Sequence, residues 1–367
     1  MRIELLHINN VRNLSDLELS PIPSFNLICG PNGSGKTSLL EAINLLGVGR
    51  SFRSNQPAQY ITHLNPSCEV FGKVCEYDSP SVRLGISKNR SGEHLVRING
   101  ENARSAAELA NHLPLQVITP SSIELIEGSA NGRRKFLDWG VFHVEPQFIN
   151  WWRDAQKLLR HRNAILKKLQ AGDLERANKE LLIWDNEINK CSENILRARV
   201  EYLDQFKAFF EQKYSNLIPG LSLQFRLLKG WPDDLDLIEA FRNSRERDVK
   251  LGYTQYGPHK ADIKIKVDGR SADEVLSRGQ KKILVCVLKC LQAELLQQTT
   301  GKTCVFLVDD LAAELDLENQ KKLCEIFQAL SSQVFITAVS PDLLLPALEG
   351  KPFKTFHVEH GVLLDSE

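Results

Sequence analysis

Eight consecutive residues, Gly30-Pro31-Asn32-Gly33-Ser34-Gly35-Lys36-Thr37, constrain this chain more than any other stretch. They satisfy the pattern G-x-x-x-x-G-K-[ST] at every fixed position. Ahead of them Phe25-Asn26-Leu27-Ile28-Cys29 reads as a buried strand. Behind them Leu39, Leu40, Ile43 and Leu46 are spaced for one face of a helix. A strand, a glycine-rich loop and a helix, in that order, form a phosphate cradle. The glycines let the backbone approach an anion closely, and successive amides and the helix N-terminus bind it. Lys36 then reaches the β- and γ-phosphates, and the Thr37 hydroxyl ligates Mg²⁺. The bland alternative is a glycine-rich turn that merely enters a helix. A complete match in the right context favours nucleotide binding.

A chain of 367 residues can bury a large core, as one large domain with an insertion or as two domains. Lys and Arg number 46 and so do Asp and Glu, so any surface for a polyanion must be local. Cys29, Cys68, Cys75, Cys191, Cys286, Cys290, Cys304 and Cys324 include no C-x-x-C pair. Several sit in apolar runs, where cysteine acts as a small hydrophobe, so reduced core thiols are expected rather than zinc or disulfides. No apolar leader follows Met1-Arg2-Ile3-Glu4, and no run approaches a membrane span. The expectation is a soluble, cytoplasmic protein.

Ile3, Leu5 and Ile8, then Leu14, Leu17 and Leu19, alternate as two half-buried strands would, with a polar turn over 9–13. Gly47-Val48-Gly49-Arg50-Ser51-Phe52-Arg53 reads as a flexible segment. Short strands are expected over 69–77, 82–88 and 94–98, with a hairpin turn signal at Ile98-Asn99-Gly100-Glu101-Asn102. Leu115-Gln116-Val117-Ile118-Thr119 reads as a buried strand stopped by Pro120. Arg133-Arg134-Lys135 enter an apolar helix; from charge alone a solvated first turn is favoured over an anion contact.

From Val144 to about Tyr214 glycine almost disappears. Trp151, Ala155, Leu158, Arg162, Ile165 and Leu169 form one helical stripe. Leu181, Trp184, Ile188, Ile195 and Leu203 form a second, after a break at Ala171-Gly172-Asp173. This is the pattern of two long antiparallel helices packed as a hairpin. Arg153, Lys157, Arg160, Lys167 and Lys168 flank the first stripe, either as a phosphate-tracking face or as an ordinary solvated charge row. Strand alternation resumes at 221–228, Asp234 to Arg247 reads as a helix, and His259 lies in a turn-rich segment before a strand at 263–267. A loop histidine is more often without function than catalytic. Leu276-Ser277-Arg278-Gly279-Gln280 opens a strongly apolar helix whose N-terminus suits an anion. Cys304-Val305-Phe306-Leu307-Val308 reads as a buried strand that delivers Asp309 and Asp310 to its C-terminal edge, where a Walker B acid sits.

In this order the motifs resemble the ABC-type ATPase heads of the SMC-related repair group, and within it the bacterial RecF family. The segments that carry the resemblance are Arg12-Asn13, the P-loop, Gly49 to Arg53, Gly132-Arg133-Arg134 with Phe136-Leu137-Asp138, Gly257-Pro258-His259, Leu276 to Lys281, and Asp309-Asp310 with Glu314-Leu315-Asp316. They span nearly the whole chain. The resemblance implies an α/β fold, an ABC-type head with an antiparallel β subdomain plus a helical-hairpin arm lobe. It divides the chain into 1–143 and 216–367 for the head and 144–215 for the arm. It further implies that ATP on one P-loop is covered by Ser277, Arg278, Gly279 and Gln280 of a second copy, giving an ATP-dependent homodimer. In that scheme Asp309 holds Mg²⁺, Asp310 orients the attacking water, and Asp316 belongs to a loop crossing the dimer. Binding of double-stranded and gapped DNA, help to RecO and RecR in loading RecA, and a part in the SOS response also follow. Arg133, Arg134, Lys157, Arg160, Lys167 and Lys168 are then the candidate DNA contacts.

Asp310 stands where most ABC enzymes carry glutamate, and Ala338 where many carry histidine. No glutamine fills the Q-loop with assurance, Gln116 being only nearby in sequence. These departures predict slow, DNA-stimulated hydrolysis suited to a timed clamp. The competing readings are a small-molecule P-loop kinase, a GTPase, a transporter ATPase subunit or another ABC-type ATPase without a DNA role, and a structural tether. A kinase has no use for Leu276-Ser277-x-Gly279-Gln280, and no N-K-x-D guanine motif is present. A transporter subunit would carry the conventional glutamate and histidine. An arm of this length, about 50 Å after the hairpin halves it, is short for long-range bridging.

Overall fold

The computed structural model describes residues 1–76, 80–170, 175–215, 217–218 and 220–364, and of 175–179 the backbone alone. The chain begins with β1 (Arg2–Val11), β2 (Leu14–Leu19), β3 (Phe25–Cys29), α1 (Lys36–Val48), β4 (Ser67–Cys75), β5 (Val82–Asn89), β6 (His94–Ile98), β7 (Glu101–Asn102), α2 (Ala107–His112) and β8 (Leu115–Ile118). Helices dominate the middle: α3 (Glu124–Glu127), α4 (Ala130–Val144), α5 (Phe148–Gln170) and α6 (Glu175–Tyr214), then β9 (Leu223–Leu228), α7 (Leu237–Leu251), β10 (Asp262–Val267), β11 (Arg270–Ser271) and α8 (Ala272–Val275). The remainder is α9 (Arg278–Thr300), β12 (Val305–Val308), α10 (Leu311–Glu314), α11 (Leu317–Ala329), β13 (Val334–Ala338), β14 (Phe353–Glu359) and β15 (Val362–Leu364). Two compact units result, 1–122 with 282–367, and 123–281. The helical pair expected as a separate arm packs inside the second unit, so the expected boundaries at 143/144 and 215/216 do not coincide with this division.

In the first unit an antiparallel sheet runs β2-β1-β4-β5-β6-β7, and a second sheet runs β15-β14-β3-β13-β12-β8. Within the second sheet β14, β3, β13, β12 and β8 are parallel, and only β15 is antiparallel. Every residue of β3, β12 and β13 is buried, as expected of parallel strands covered on both faces. Helix α1 touches strands of both sheets and joins them in one core. The sequence stripe called for one buried face, but Ser38 to Gly47 are all buried. Polar members of that run are therefore paired: Glu41 takes Arg12 at 2.9 Å and the Ser51 hydroxyl, and Asn44 donates to the Arg50 carbonyl at 2.6 Å. Those bonds overturn the flexible segment expected over 47–53. Gly47 and Val48 finish α1, Gly49 closes it with φ 71°, and Ser51 is buried. Strand β1 likewise runs through Asn9, Asn10 and Val11, so the expected turn shrinks to Arg12-Asn13 because Asn9 still pairs with Asp16 and Val11 with Leu14.

The second unit holds a three-stranded antiparallel sheet, β11-β10-β9, and α3 to α8. Helices α5 and α6 pack along each other, and the stripe residues Ala155, Ile165, Leu169, Leu181, Ile188, Ile195 and Leu203 are buried. The expected break at 171–173 lies outside the described residues. Arg162, in the middle of the apolar stripe, is 0 % exposed. Its guanidinium donates to Asp185 and Asp248, both at 2.7 Å, and to Thr254 at 2.9 Å, and it lies 4.2 Å over the Phe241 ring. Removing one partner of such a buried set typically costs about 3–5 kcal/mol. Helix α7 starts later than the expected Asp234 and ends later than Arg247. Asp236 and Glu239 form a reciprocal capping box at its start, and Gly252 ends it in the left-handed conformation. All eight thiols are free, and all but Cys191 are buried. Among the described residues no helix is long and apolar enough to cross a membrane.

Candidate nucleotide site

The P-loop leaves the C-terminal end of β3 at Gly30 and enters α1 at Lys36. Gly30 (φ 151°) and Gly35 (φ 122°) hold backbone conformations that side chains disfavour, and a Cβ on Gly30 would sit 2.1 Å from the Val358 carbonyl. Among the described residues the amides of Gly33, Gly35, Lys36 and Thr37 donate to no other group. Pro31, Asn32 and Gly33 are exposed, whereas Ser34 is 4 % exposed and its buried hydroxyl has no partner among the described residues. A row of free amides with an orphaned hydroxyl beside it suits the phosphates of a nucleotide. Lys36 folds over the loop, its Nζ on the carbonyls of Gly30 at 2.7 Å and Pro31 at 2.9 Å. Desolvation lowers its pKa, opposed by the charges of Asp310 and Asp309.

Strand β13 lies between β3 and β12, so the acid pair arrives two strands from the P-loop on the same C-terminal edge, where α/β sheets bind ligands. The Thr37 hydroxyl donates to the Asp309 carboxylate at 3.0 Å. A hydroxyl touching a carboxylate at the phosphate end of a P-loop offers two of the oxygens a Mg²⁺ ion would take, phosphate and water supplying the others. Asp310 has a left-handed backbone (φ 55°). Its pKa is raised, first by desolvation and then by the Asp309 charge, against the pull of Lys36. Thr337, which the sequence did not single out, ties the pair together. Its hydroxyl donates to Asp309 at 2.8 Å and accepts the Asp310 amide at 2.8 Å. Neighbouring Ala338 is buried and has no side chain to reach the site. Gln116 is also buried, its amide bonded to Gln292 at 3.1 Å in the core rather than at the strand edge.

In the second unit Ser277 caps α9. Its Oγ accepts the Gln280 amide at 3.3 Å, and the Gln280 side chain returns a bond to the Ser277 amide at 2.9 Å. This is a capping box, which explains the Ser-x-x-Gln spacing locally. Arg278 and Gly279 are exposed, and a Cβ on Gly279 would meet nothing within 4 Å. Among the described residues no contact therefore requires glycine there. In the first unit Asp316 caps α11, accepting the Asn319 amide at 2.9 Å, and that bond lowers its pKa.

The basic candidates divide into two kinds. Arg133 grips Asp262 with two bonds, at 2.7 and 3.1 Å, and also holds the Gly128 carbonyl. Arg134 donates to the Ala261 carbonyl at 2.7 Å, and Arg199 holds the Pro258 carbonyl at 2.9 Å and Asp138. Three arginines thus brace the segment 258–262, which gives the cluster at 133–134 a structural duty that charge alone did not reveal. Lys157, Arg160, Lys167 and Lys168 are exposed along α5. His259, inside the braced segment, bonds the Thr254 carbonyl at 3.3 Å, and burial pushes its pKa down to about 4.

A P-loop and an acidic strand end on one edge of a parallel sheet, with an antiparallel sheet on the far side of α1, define an ABC-type ATPase head. The family model described as the RecF/RecN/SMC N-terminal domain matches residues 2–363. The DNA replication and repair protein RecF of Pseudomonas aeruginosa (strain LESB58) is 44 % identical over 362 residues, covering 98 % of this chain and 97 % of that one. RecF of Stutzerimonas stutzeri (strain A1501) is also 44 % identical, covering 98 % and 96 %. Among solved structures, the recombination mediator protein RecF-ATP of the RecFOR pathway aligns with a TM-score of 0.89 at 27 % identity, over 100 % of this chain and 97 % of that one. A Smc head domain from Pyrococcus furiosus shares the fold at 17 % identity and a TM-score of 0.56, over 98 % and 94 %. The chain belongs to the RecF family.

Proposed function

We propose that this chain is an ATP-gated DNA-binding protein of recombinational repair and replication restart. ATP binds the P-loop, and Thr37 and Asp309 hold its Mg²⁺. The solved relative named as RecF-ATP supports the choice of nucleotide. The single observation that carries the gating is Gly279. Glycine is a poor helix former, costing about 1 kcal/mol relative to alanine in a helix interior, yet among the described residues nothing approaches the missing Cβ of Gly279. The demand for glycine then comes from outside the chain, where a phosphate on a second copy needs close approach to the α9 N-terminus. The Gly279 amide and the Ser277 hydroxyl supply those donors in trans, with Arg278 and the capping residue Gln280 beside them, and Asp316 lies on the loop that crosses the dimer.

Hydrolysis is slow in this reading. Asp310 reaches less far than glutamate, and Ala338 offers no side chain to the γ-phosphate. The dimer binds duplex DNA at gaps or single/double-strand junctions, through phosphates more than bases, along Lys157, Arg160, Lys167 and Lys168. Arg133 and Arg134 act by shaping the segment they brace. The RecFOR pathway named for the solved relatives supports RecO and RecR as partners; in this reading RecA loading is the outcome and the cytoplasm the setting. The test is oligomeric state and DNA binding with ATP, ADP or no nucleotide, for wild type and Lys36→Arg. ATP alone should produce dimers and tighter DNA binding, and only in wild type. If nucleotide changes neither property, the gating reading fails.

A further inference from the structure

The Ser34 carbonyl carries an unusual load. It accepts the Asn13 side-chain amide at 3.0 Å and the Gly361 backbone amide at 2.8 Å. The first donor comes from the β1–β2 turn and the second from the β14–β15 turn, elements far apart in sequence. A trans peptide is planar, with its C=O and N–H pointing in opposite directions. Fixing the Ser34 oxygen from outside the loop therefore fixes the Gly35 N–H toward the inside. That N–H has no partner among the described residues, and the buried Ser34 hydroxyl beside it has none either. Asn13 is itself held, its Oδ1 accepting the Ser38 hydroxyl at 2.8 Å. Gly361 admits no side chain, because a Cβ there would lie 2.0 Å from the Asn13 carbonyl.

We propose that Asn13, seconded by Gly361, is a positioning residue that sets the Ser34–Gly35 peptide for the nucleotide polyphosphate before the nucleotide arrives. This rests on the nucleotide reading of the P-loop. Preorganised donors bind more tightly because their ordering is completed at folding rather than on association. Without the Asn13 donor, the Ser34–Gly35 peptide turns more freely and its amide meets phosphate in only part of the ensemble.

The experiment measures MgADP and MgATP affinity by calorimetry, and melting temperature without nucleotide, for wild type, Asn13→Ala and Asn13→Asp. Asp keeps the shape and the acceptor for Ser38 but removes the donor and adds a charge, so the neutral Ala variant decides the affinity comparison and Asp is read at high salt, which screens that charge. Both variants should lose roughly ten-fold or more in affinity for both nucleotides, the scale of a bond to a charged group. Their nucleotide-free melting temperatures should stay within a few degrees of wild type, which a merely structural role would not predict. Variant affinities within two-fold of wild type would overturn the positioning role alone. A wild-type protein that binds neither nucleotide would overturn the nucleotide reading and this inference with it.

Discussion

Thr337→Val replaces the hydroxyl that links Asp309 to the Asp310 backbone with a methyl group of nearly the same volume. Thr337 is 1 % exposed, so water does not substitute for the lost oxygen. Two bonds go: the one donated to the Asp309 carboxylate at 2.8 Å and the one accepted from the Asp310 amide at 2.8 Å. A bond to a charged group contributes about 1.5–3 kcal/mol, and an orphaned buried amide costs about 1–3 kcal/mol. The two overlap in one small network, so a loss of about 2–4 kcal/mol is expected rather than their full sum. For a unit of about two hundred residues that lowers the melting temperature by roughly 5–15 °C. Among the described residues the Asp309 carboxylate then retains only the Thr37 bond, so it swings more freely and MgATP affinity falls together with stability. Thr337→Ser restores the oxygen and should recover most of both. The assay is thermal unfolding without nucleotide, paired with MgATP titration and a parallel titration in excess chelator. A valine variant that melts within 1–2 °C of wild type and binds MgATP equally well would refute the coupling role assigned to this hydroxyl.

Two further outcomes follow from particular groups. His259 has a folded pKa of about 4 against an ordinary value of 6.5, because burial disfavours its charged form. Its contribution is full above pH 6.5 and is lost as the pH falls toward 4, since the unfolded chain takes up the proton first. Acidification from pH 7.5 to 5 should remove about 2 kcal/mol of unfolding free energy through this group, and His259→Gln should show a correspondingly flatter profile in urea titrations. Equal pH slopes for the two proteins would contradict the burial argument. Reversing Lys157 and Arg160 to glutamate should weaken DNA binding evenly across sequences and reduce its salt slope by about two phosphate contacts. An unchanged slope would remove α5 from the DNA-binding face.

The two kinds of information divide along the range of the forces involved. Local spacing was enough for the P-loop, the buried runs of β3, β12 and β13, the stripes of α5 and α6, and the start of α9, because each is a repeat or a cap written within a few residues. That local record also located Lys36, Thr37, Asp309 and Asp310 and, through their order, the family resemblance. What pairing over long separations decides left no such trace. Asn13 and Gly361 meet on one carbonyl, although more than three hundred residues separate them in the chain. Thr337 looked like one more residue of a core strand until β13 was placed between β3 and β12. Arg133 read as a solvated charge until Asp262 came to lie against it, and Arg162 sat unexplained in an apolar stripe until Asp185, Asp248 and Thr254 surrounded it. The sequence by itself determined where a phosphate could bind and which acids could accompany it. Only the tertiary structure decided how those groups are held, because a buried polar side chain takes its role from the partner that folding brings to it.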